Sequence, residues 1–330
     1  MLSYIIRRLI YMIILLWAVS VVGFIIIELP PGSYLDVEIA RLQARGGSVN
    51  KALIASLKKR YDLDLPVYAR YFKWIWKMLH GNLGMSLEKQ RPVLDLIAER
   101  LPATITLSLF TTIFVYLVSI PIGIYSATHQ YSPGDYFFTV LGFVGLATPN
   151  FLLALVLMFL FYRYFDVSLT GLFSSQYATA AWSMGKFMDM LAHLPIPIIV
   201  IGTAGTAGLI RVMRGCLLDE LRKQYVITAR AKGLAERTLL FKYPVRVAIN
   251  PIVSTIGWEL PAIFSGTVIT AIVLSLPTVG ELMYKALRSQ DMYLAASCLI
   301  ILSALTVIGT FISDLLLAWI DPRIRYERGA

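Results

Sequence analysis

Long apolar runs are the feature of this sequence that most constrains its fold. An α-helix needs about 20 consecutive apolar residues to cross the hydrocarbon core of a bilayer, and several runs in this 330-residue chain reach that length. They lack the alternating pattern of membrane-barrel strands. The sequence therefore predicts an all-α, polytopic membrane protein with six transmembrane helices. The predicted spans are 9–29, 102–127, 137–161, 194–213, 251–276 and 293–318.

The composition supports lipid as the main solvent of the chain. Only 15% of the residues are charged and 58% are hydrophobic, whereas a soluble globular domain carries about 25% charged residues. The formal net charge is +10. Membrane proteins retain Lys and Arg on the cytoplasmic side of the bilayer, so we attribute this excess to membrane topology and predict no nucleic-acid partner.

The distribution of basic residues predicts the orientation of the spans. Arg7 and Arg8 precede the first apolar run and place the N-terminus in the cytoplasm. That run is longer than the apolar region of a signal peptide and lacks a small-residue cleavage motif, so we interpret it as an uncleaved span. Six spans then place the C-terminus in the cytoplasm as well, together with the basic connection between the fourth and fifth spans.

The predicted spans divide the chain into four regions. Residues 1–30 form the first transmembrane helix, and residues 31–101 form a long extracytoplasmic segment. A five-helix core follows at 102–318 and includes the cytoplasmic loop at 215–250. Residues 319–330 form a cytoplasmic tail.

One part of the extracytoplasmic segment has the pattern of an amphipathic helix. Apolar side chains recur at i, i+3, i+4 and i+7 from Tyr71 to Leu79. The helix is predicted to end at the turn-forming residues that begin at His80. Two placements are consistent with the pattern: the helix lies at the lipid interface, or it lies on the protein surface beneath the extracytoplasmic loops.

Prolines and glycines interrupt the predicted spans. Pro121, Pro149 and Pro261 each remove a backbone donor and predict a kink in the helix. Glycines in the fourth span form a small-residue face that lets helices approach closely. This face is consistent with ordinary helix packing, and also with a moving interface or a pore lining. The glycines are Gly202, Gly205 and Gly208.

The sequence contains no motif for catalysis or for metal binding. It has no G-x-x-x-x-G-K-[ST] phosphate-binding loop and no G-x-S-x-G nucleophile motif. The three histidines are far apart and lack the spacing of metal ligands, and the two cysteines, Cys216 and Cys298, form no disulfide framework. We therefore predict a protein that is not an enzyme and that has no catalytic residue, no metal site and no bound cofactor.

Two acidic residues fall within apolar runs. An ionisable group inside a span is a functional candidate by default. Glu259, in the fifth span, either forms a structural hydrogen bond or lines a path across the membrane, whereas Asp314 lies near the inner end of the sixth span and is interpreted as interfacial. So few intramembrane charges disfavour a carrier driven by an ion gradient, which stays the alternative from another functional class.

The connection from Asp219 to Leu240 is predicted to form two short helices that are separated at Gly233 and Leu234. The small residues Ala229 and Ala231 allow close docking into a groove, and the neighbouring cations would steer an acidic partner. A solvated loop without a partner is the simpler alternative.

At this loop the chain resembles the permeases of ABC transporters. The segments Thr228–Leu234 (TARAKGL) and Pro244–Pro251 (PVRVAINP) are similar to the coupling loop of that family. The resemblance is closest to the first permease of the dipeptide, oligopeptide and nickel importers, and it covers essentially the whole chain. Further matching segments are Arg7-Arg8, Gly81–Ser86 (GNLGMS), Arg100–Thr104 (RLPAT), Pro121–Gly123 (PIG) and Asp321–Arg325 (DPRIR).

The chain departs from the family pattern in two places. Importers in general carry Glu-Ala-Ala before the loop glycine, where this chain has Ile227, Thr228 and Ala229. Members of the peptide branch often lack that glutamate. The stretch Glu28–Gly32 and the insert with Gly46-Gly47 look more like members that import oligosaccharides. The solute is therefore expected to be a peptide, with an oligosaccharide as the alternative, and nickel is disfavoured because no His or Cys cluster is available.

The resemblance implies a heteromeric machine in the inner membrane of a prokaryotic cell. Its other parts would be a second homologous permease, two ATPase subunits that hold ATP and Mg²⁺, and an extracytoplasmic solute-binding protein. The residues implied to couple this chain to the ATPase are Tyr225, Thr228, Ala229, Arg230, Ala231, Lys232, Gly233 and Leu234. The candidates for the translocation path are Ser254, Thr255, Gly257, Glu259, Ser265 and Thr267.

Overall fold

The computed structural model describes residues 2–28, 64–166, 170–178, 180–266 and 268–320, and it includes no side-chain description for 2–4, 26–28, 257–266 and 317–320. Within these ranges the backbone is predominantly helical. The helices are α1 (Leu2–Glu28), α2 (Val67–Leu79), α3 (Val93–Thr128), α4 (Pro133–Ala147), α5 (Asn150–Phe165), α6 (Met184–His193), α7 (Pro195–Leu221), α8 (Gln224–Ala231), α9 (Glu236–Lys242), α10 (Pro244–Gly266), α11 (Val268–Val273), α12 (Val279–Arg288) and α13 (Met292–Ile320).

Four helices of the described chain are long and apolar enough to cross a membrane. They are Ile5–Ile25 within α1, the whole of α3 and α7, and Met292–Leu316 within α13. These helices coincide with the predicted first, second, fourth and sixth spans. The polytopic, all-helical class is therefore confirmed, while the count of six spans stays a prediction. The predicted fifth span, 251–276, falls on α10 and α11, which are not among these four helices.

The predicted third span, 137–161, is broken in the structure. It is divided into α4 and α5, whose axes differ by 104°. The break follows from Pro149, which has no backbone N–H to donate and which disfavours helical geometry at the residue before it. Thr148 accordingly has φ −89° and ψ 118°. The prediction of a kink within one continuous helix was wrong here; α4 and α5 together account for at most one further span.

The chain forms two compact units, and the larger one contains residues 103–277. Its centre is α7, which packs against α10, α4 and α5. Towards the end of α7, the side chains of Met213 and Leu217 are buried with Val245 and Ile252 of α10. A second apolar cluster surrounds the beginning of α7 at Val200. The larger unit is thus held together by apolar packing along the whole length of one helix.

Close approach between α3 and α7 depends on a glycine. A Cβ atom placed on Gly123 of α3 would lie 2.6 Å from Met213 Cβ and 3.1 Å from the backbone oxygen of Ile210. Of the predicted small-residue face on α7, Gly202 is also in close contact, because a Cβ there would lie 2.9 Å from the ring of Phe114. Gly208 faces open space. The face therefore serves helix packing at Gly202.

The smaller unit contains the described residues of 5–102, together with residues 278–305. The predicted amphipathic helix is confirmed as α2, and its apolar face is buried against protein at Tyr71 and Trp74, whereas Leu79 at its end is exposed. Tyr71 and Trp74 pack on Phe24 of α1 and on Ala296 of α13, and the rings of Phe24 and Trp74 stack at 5.5 Å between centroids. The opposite face, with Trp76, is exposed.

A buried carboxylate anchors the loop that follows α2. Asp291, which is fully buried, accepts hydrogen bonds from the hydroxyl of Ser86 at 2.5 Å and from the backbone N–H of Glu88 at 3.2 Å. It also accepts a bond from the N–H of Leu294 at 3.3 Å, in the first turn of α13. Such charge-assisted bonds are stronger than neutral ones. They hold the GNLGMS segment on the start of α13.

We expect Gly123→Ala to destabilise the protein, because the added methyl group would overlap Met213 and a backbone oxygen. Overpacking of this kind typically costs about 1–3 kcal/mol. Thermal unfolding of the purified protein measures the effect, and Gly208→Ala on α7 is the matched control because its Cβ meets nothing within 4 Å. Equal unfolding temperatures for the two variants would contradict this account of α3–α7 packing.

Candidate functional site

The loop that the sequence singled out forms two short helices between α7 and α10, as predicted. The first, α8, ends at a left-handed turn in which Gly233 has φ +77°. The N–H of Gly233 donates to the carbonyl of Arg230 at 3.0 Å, and the N–H of Leu234 donates to that of Ala229 at 3.4 Å. Glycine is favoured here because a side chain strains a backbone with positive φ.

An apolar cluster holds α8 and α9 together. Val226 and Ala229, one helical turn apart on α8, are buried against Leu239 of α9, and Leu234 and Tyr243 pack at the edge of the cluster. Residues three positions apart lie on the same face of a helix. This face of α8 is therefore turned inward, and Ala229 contributes to the packing between the two helices.

An ion pair closes the turn between the two helices. The guanidinium of Arg230 donates to both carboxylate oxygens of Glu236, at 2.5 Å and 3.1 Å. The hydrogen bond from Arg230 holds the pKa of Glu236 below its ordinary value; loss of solvent opposes this effect, and the positive charge of Arg230 adds to it. Arg230 is thus paired within the loop. Lys232 forms no ion pair within the part of the chain that the structure describes.

Tyr225 connects the beginning of α8 to the end of α7. Its hydroxyl donates a hydrogen bond to the carboxylate of Glu220. Burial of the phenol raises the pKa of Tyr225, and the bond to Glu220 raises it further. The side chain stays protonated at neutral pH and ties the loop to the preceding helix.

The opposite face of α8 points outward and carries uncharged side chains, two of them apolar. Gln224, Ile227, Thr228 and Ala231 follow the i, i+3, i+4, i+7 spacing of a single helix face, and all four are exposed. Ile227 is 48% exposed, and Phe241 of α9 is 54% exposed.

The sequence prediction included Thr228 and Ala231 but missed Ile227 and Phe241. No local pattern marked Ile227, because the contact of Val226 and Ala229 with Leu239 of α9 decides which side of α8 is buried. We call Gln224, Ile227, Thr228 and Ala231 the outward face of α8.

The candidates for the translocation path lie on or beside α10. Ser254 is exposed, and its hydroxyl donates to the carbonyl of Pro251 at 2.6 Å. Thr255 is buried and shares a hydrogen bond of 2.7 Å with the hydroxyl of Tyr116 on α3, which indicates a role in helix packing. The described part of the chain leaves out the surroundings of Gly257, the side chains of Glu259 and Ser265, and all of Thr267. Their assignment to the path stays a prediction.

Comparison with known families covers most of the chain with two matching family models. Residues 119–326 match the model of the binding-protein-dependent transport system inner membrane component, and residues 1–108 match its N-terminal companion among the membrane components of these systems. The chain belongs to this family of transport permeases. The resemblance seen at the loop is confirmed, and the matched region 119–326 includes α7, α8, α9 and α10.

The sequence of this permease is similar to those of named relatives over the full length of both proteins. It is 34% identical to the oligopeptide transport system permease protein AppB of Bacillus subtilis (strain 168), over 99% of this chain and 100% of the relative. It is 32% identical to the inner membrane ABC transporter permease protein YejB of Escherichia coli O157:H7, over 98% of this chain and 99% of the relative. It is 28% identical to the dipeptide transport system permease protein DppB of Escherichia coli (strain K12), over 99% of this chain and 100% of the relative. The permease is thus a membrane component of the ABC peptide and dipeptide importer family, whose permeases are not themselves enzymes.

We expect Leu239→Ala to loosen α8 without disturbing the membrane helices. The substitution leaves a cavity in the cluster with Val226 and Ala229, and such cavities cost about 2–5 kcal/mol. Hydrogen–deuterium exchange of the purified permease measures the effect as faster exchange across 224–242.

Phe241→Ala is the matched control for Leu239→Ala, because it removes a larger apolar side chain that is exposed on the same helix. Unchanged protection of α8 in Leu239→Ala would show that the apolar cluster does not hold this helix in place.

Proposed function

We propose that this permease forms half of the translocation pathway of an importer for oligopeptides, and that the outward face of α8 couples it to an ATPase subunit. The observation that carries the proposal is the two-sided character of α8. One side is anchored by Val226 and Ala229, and the other presents uncharged side chains to the outside, with Ile227 and Ala231 as its apolar members. A helix that is anchored on one side and exposes apolar contacts on the other suits insertion into a groove of a partner protein.

The connections of the loop are short enough to transmit a movement of α8. Only Arg222 and Lys223 separate α7 from α8, and only Tyr243 separates α9 from α10. The two long helices on either side of the loop pack closely against each other. A rigid-body displacement of α8 and α9, driven by closure of the ATPases on ATP, would therefore tilt α7 and α10 together. Such a tilt switches access between two packed states of the helices.

The proposed machine requires partners that this chain does not supply. A second homologous permease would complete the pathway, two ATPase subunits would bind ATP and Mg²⁺, and an extracytoplasmic binding protein would deliver the solute. The proposed location is the inner membrane, with both termini in the cytoplasm, because the basic loop residues Lys232 and Arg237 and the pair Arg7-Arg8 then lie on the cytoplasmic side.

The proposed solute is an oligopeptide. Two of the relatives named above, AppB and DppB, are named as oligopeptide and dipeptide transport permeases, and each matches this chain over its full length. A wide, water-filled path needs few specific contacts when the binding protein selects the solute, and this is consistent with the scarcity of ionisable residues in the spans.

Ala231→Arg is expected to abolish ATP-driven peptide uptake. The substitution places a charge in the middle of the proposed contact, where truncation or disruption of a central residue costs about 2 kcal/mol or more. Uptake of a labelled oligopeptide by proteoliposomes that contain the assembled complex measures the effect, and we expect a loss of at least about tenfold.

Ala235→Arg provides the control, since Ala235 is an exposed alanine of the same loop that lies outside α8. The second permease must co-purify with both variants. Normal uptake by Ala231→Arg in an intact complex would remove the coupling assignment from this face of α8.

Glu259→Gln tests the rival mechanism of an ion-coupled carrier. If solute selection resides in the binding protein, the variant keeps most of its ATP-dependent uptake in the same proteoliposomes. A complete loss of uptake with normal assembly would make Glu259 a mechanistic group, and uptake that follows an ion gradient in the absence of ATP would favour the carrier.

A further inference from the structure

An apolar cleft lies among the membrane helices of the larger unit, away from the outward face of α8. It has a volume of about 380 Å³ and is lined by α3, α4, α5 and α7. Its walls include Phe114, Leu153, Leu157 and Ile199, and it is lined by residues on both sides of the break between α4 and α5. Almost all of its surface is hydrocarbon, so it offers few partners to a peptide or a sugar.

The cleft continues into a smaller cavity that ends at two arginines. This second cavity has a volume of about 210 Å³ and shares Phe138, Gly142 and Ile210 with the first. Arg211 and Arg214, near the end of α7, line it. The two cavities therefore adjoin each other, and the cleft that they make up together is apolar in its larger part and basic at one end.

One of the two arginines retains an uncompensated charge. Arg214 donates to both carboxylate oxygens of Asp135, at 3.2 Å and 3.0 Å, and Asp135 is only 3% exposed. This pair carries no net charge. The guanidinium of Arg211 lies 4.9 Å from the ring centroid of Phe143 and forms no ion pair within the described ranges. A cation–π contact leaves the positive charge in place.

The dimensions of the cleft match those of a lipid chain. Ile199 and Arg211 both lie on α7, and twelve residues of helix span about 18 Å. One leaflet of the hydrocarbon core is about 15 Å thick, half of the full core. An acyl chain that begins beside Arg211 would thus reach the far end of the apolar wall.

We propose that the cleft binds an anionic phospholipid of the surrounding bilayer, with its phosphate at Arg211 and one acyl chain along the apolar wall. Basic pockets between membrane helices on the cytoplasmic side attract anionic head groups. The bound chain would fill the space between α7 and the broken pair α4–α5. In this way the bound lipid would stabilise the break between α4 and α5, beside which part of the membrane region lacks helix-to-helix packing.

The proposal is tested on the assembled complex with a phosphatidylglycerol that carries a photoreactive diazirine at the end of one acyl chain. We expect the label on peptides that contain Leu153, Leu157 or Ile199, and weaker labelling with the corresponding phosphatidylethanolamine. Arg211→Gln should lower the affinity for phosphatidylglycerol about fivefold, the effect of one cationic side chain at a membrane surface. Arg163→Gln, an exposed arginine of α5 that lines neither cavity, is the control.

A second variant acts on the apolar part and leaves the charge unchanged. Gly142→Leu places a side chain in the cleft, because a Cβ at Gly142 meets Ala207 only at 3.8 Å, an ordinary contact. It should reduce acyl-chain labelling, whereas Gly208→Leu on α7 should not. Equal labelling by both lipids in the wild type and in all four variants would overturn the proposal. So would cross-linking of a cysteine at Leu157 to the second permease, which would identify the cleft as a protein interface.

Discussion

The packing of α7 against its neighbours is the interaction on which the rest of the structure depends. Met213 and Leu217 are fully buried where α7 meets α10, and Gly123 lets α3 approach α7 to within contact of Met213. In a bilayer the lipid is as apolar as the side chains, so close packing contributes more to helix association than the hydrophobic effect does. Loss of fit along α7 would therefore separate the helices that the proposed coupling loop has to move.

The loop takes its geometry from this packed pair of helices. Because α8 follows α7 after two residues and α10 follows α9 after one, the orientation of the outward face is set by the two long helices. The cluster of Val226, Ala229 and Leu239 and the Arg230–Glu236 ion pair make the loop a compact body. A compact body on short connections passes a force to the membrane helices, whereas a flexible loop would absorb it.

Much of this arrangement could be predicted from the sequence because it depends on local pattern. The apolar runs predicted the positions of α1, α3, α7 and α13, and Gly233 predicted the turn between the two loop helices. The 104° break at Thr148–Pro149 could not be predicted, since a proline in a span permits anything from a slight bend to a complete break. The neighbouring helices decide between these outcomes. Ile227, on the outward face of α8, was missed for a related reason: the side of a short helix that is buried depends on its partner, Leu239, ten residues after Ala229.

Site-directed cross-linking in the assembled complex tests the central claim most directly. Cys216 and Cys298 are first replaced by alanine, and single cysteines are then introduced at Ile227, Ala231 or, as a buried control, Val226. A heterobifunctional reagent, with a maleimide for the introduced thiol and a photoreactive group that inserts into any neighbouring side chain, is added in the presence and absence of ATP. The account predicts a covalent adduct between permease and ATPase from Ile227→Cys and Ala231→Cys, and none from Val226→Cys. An intact complex that yields no adduct from either exposed position would contradict it.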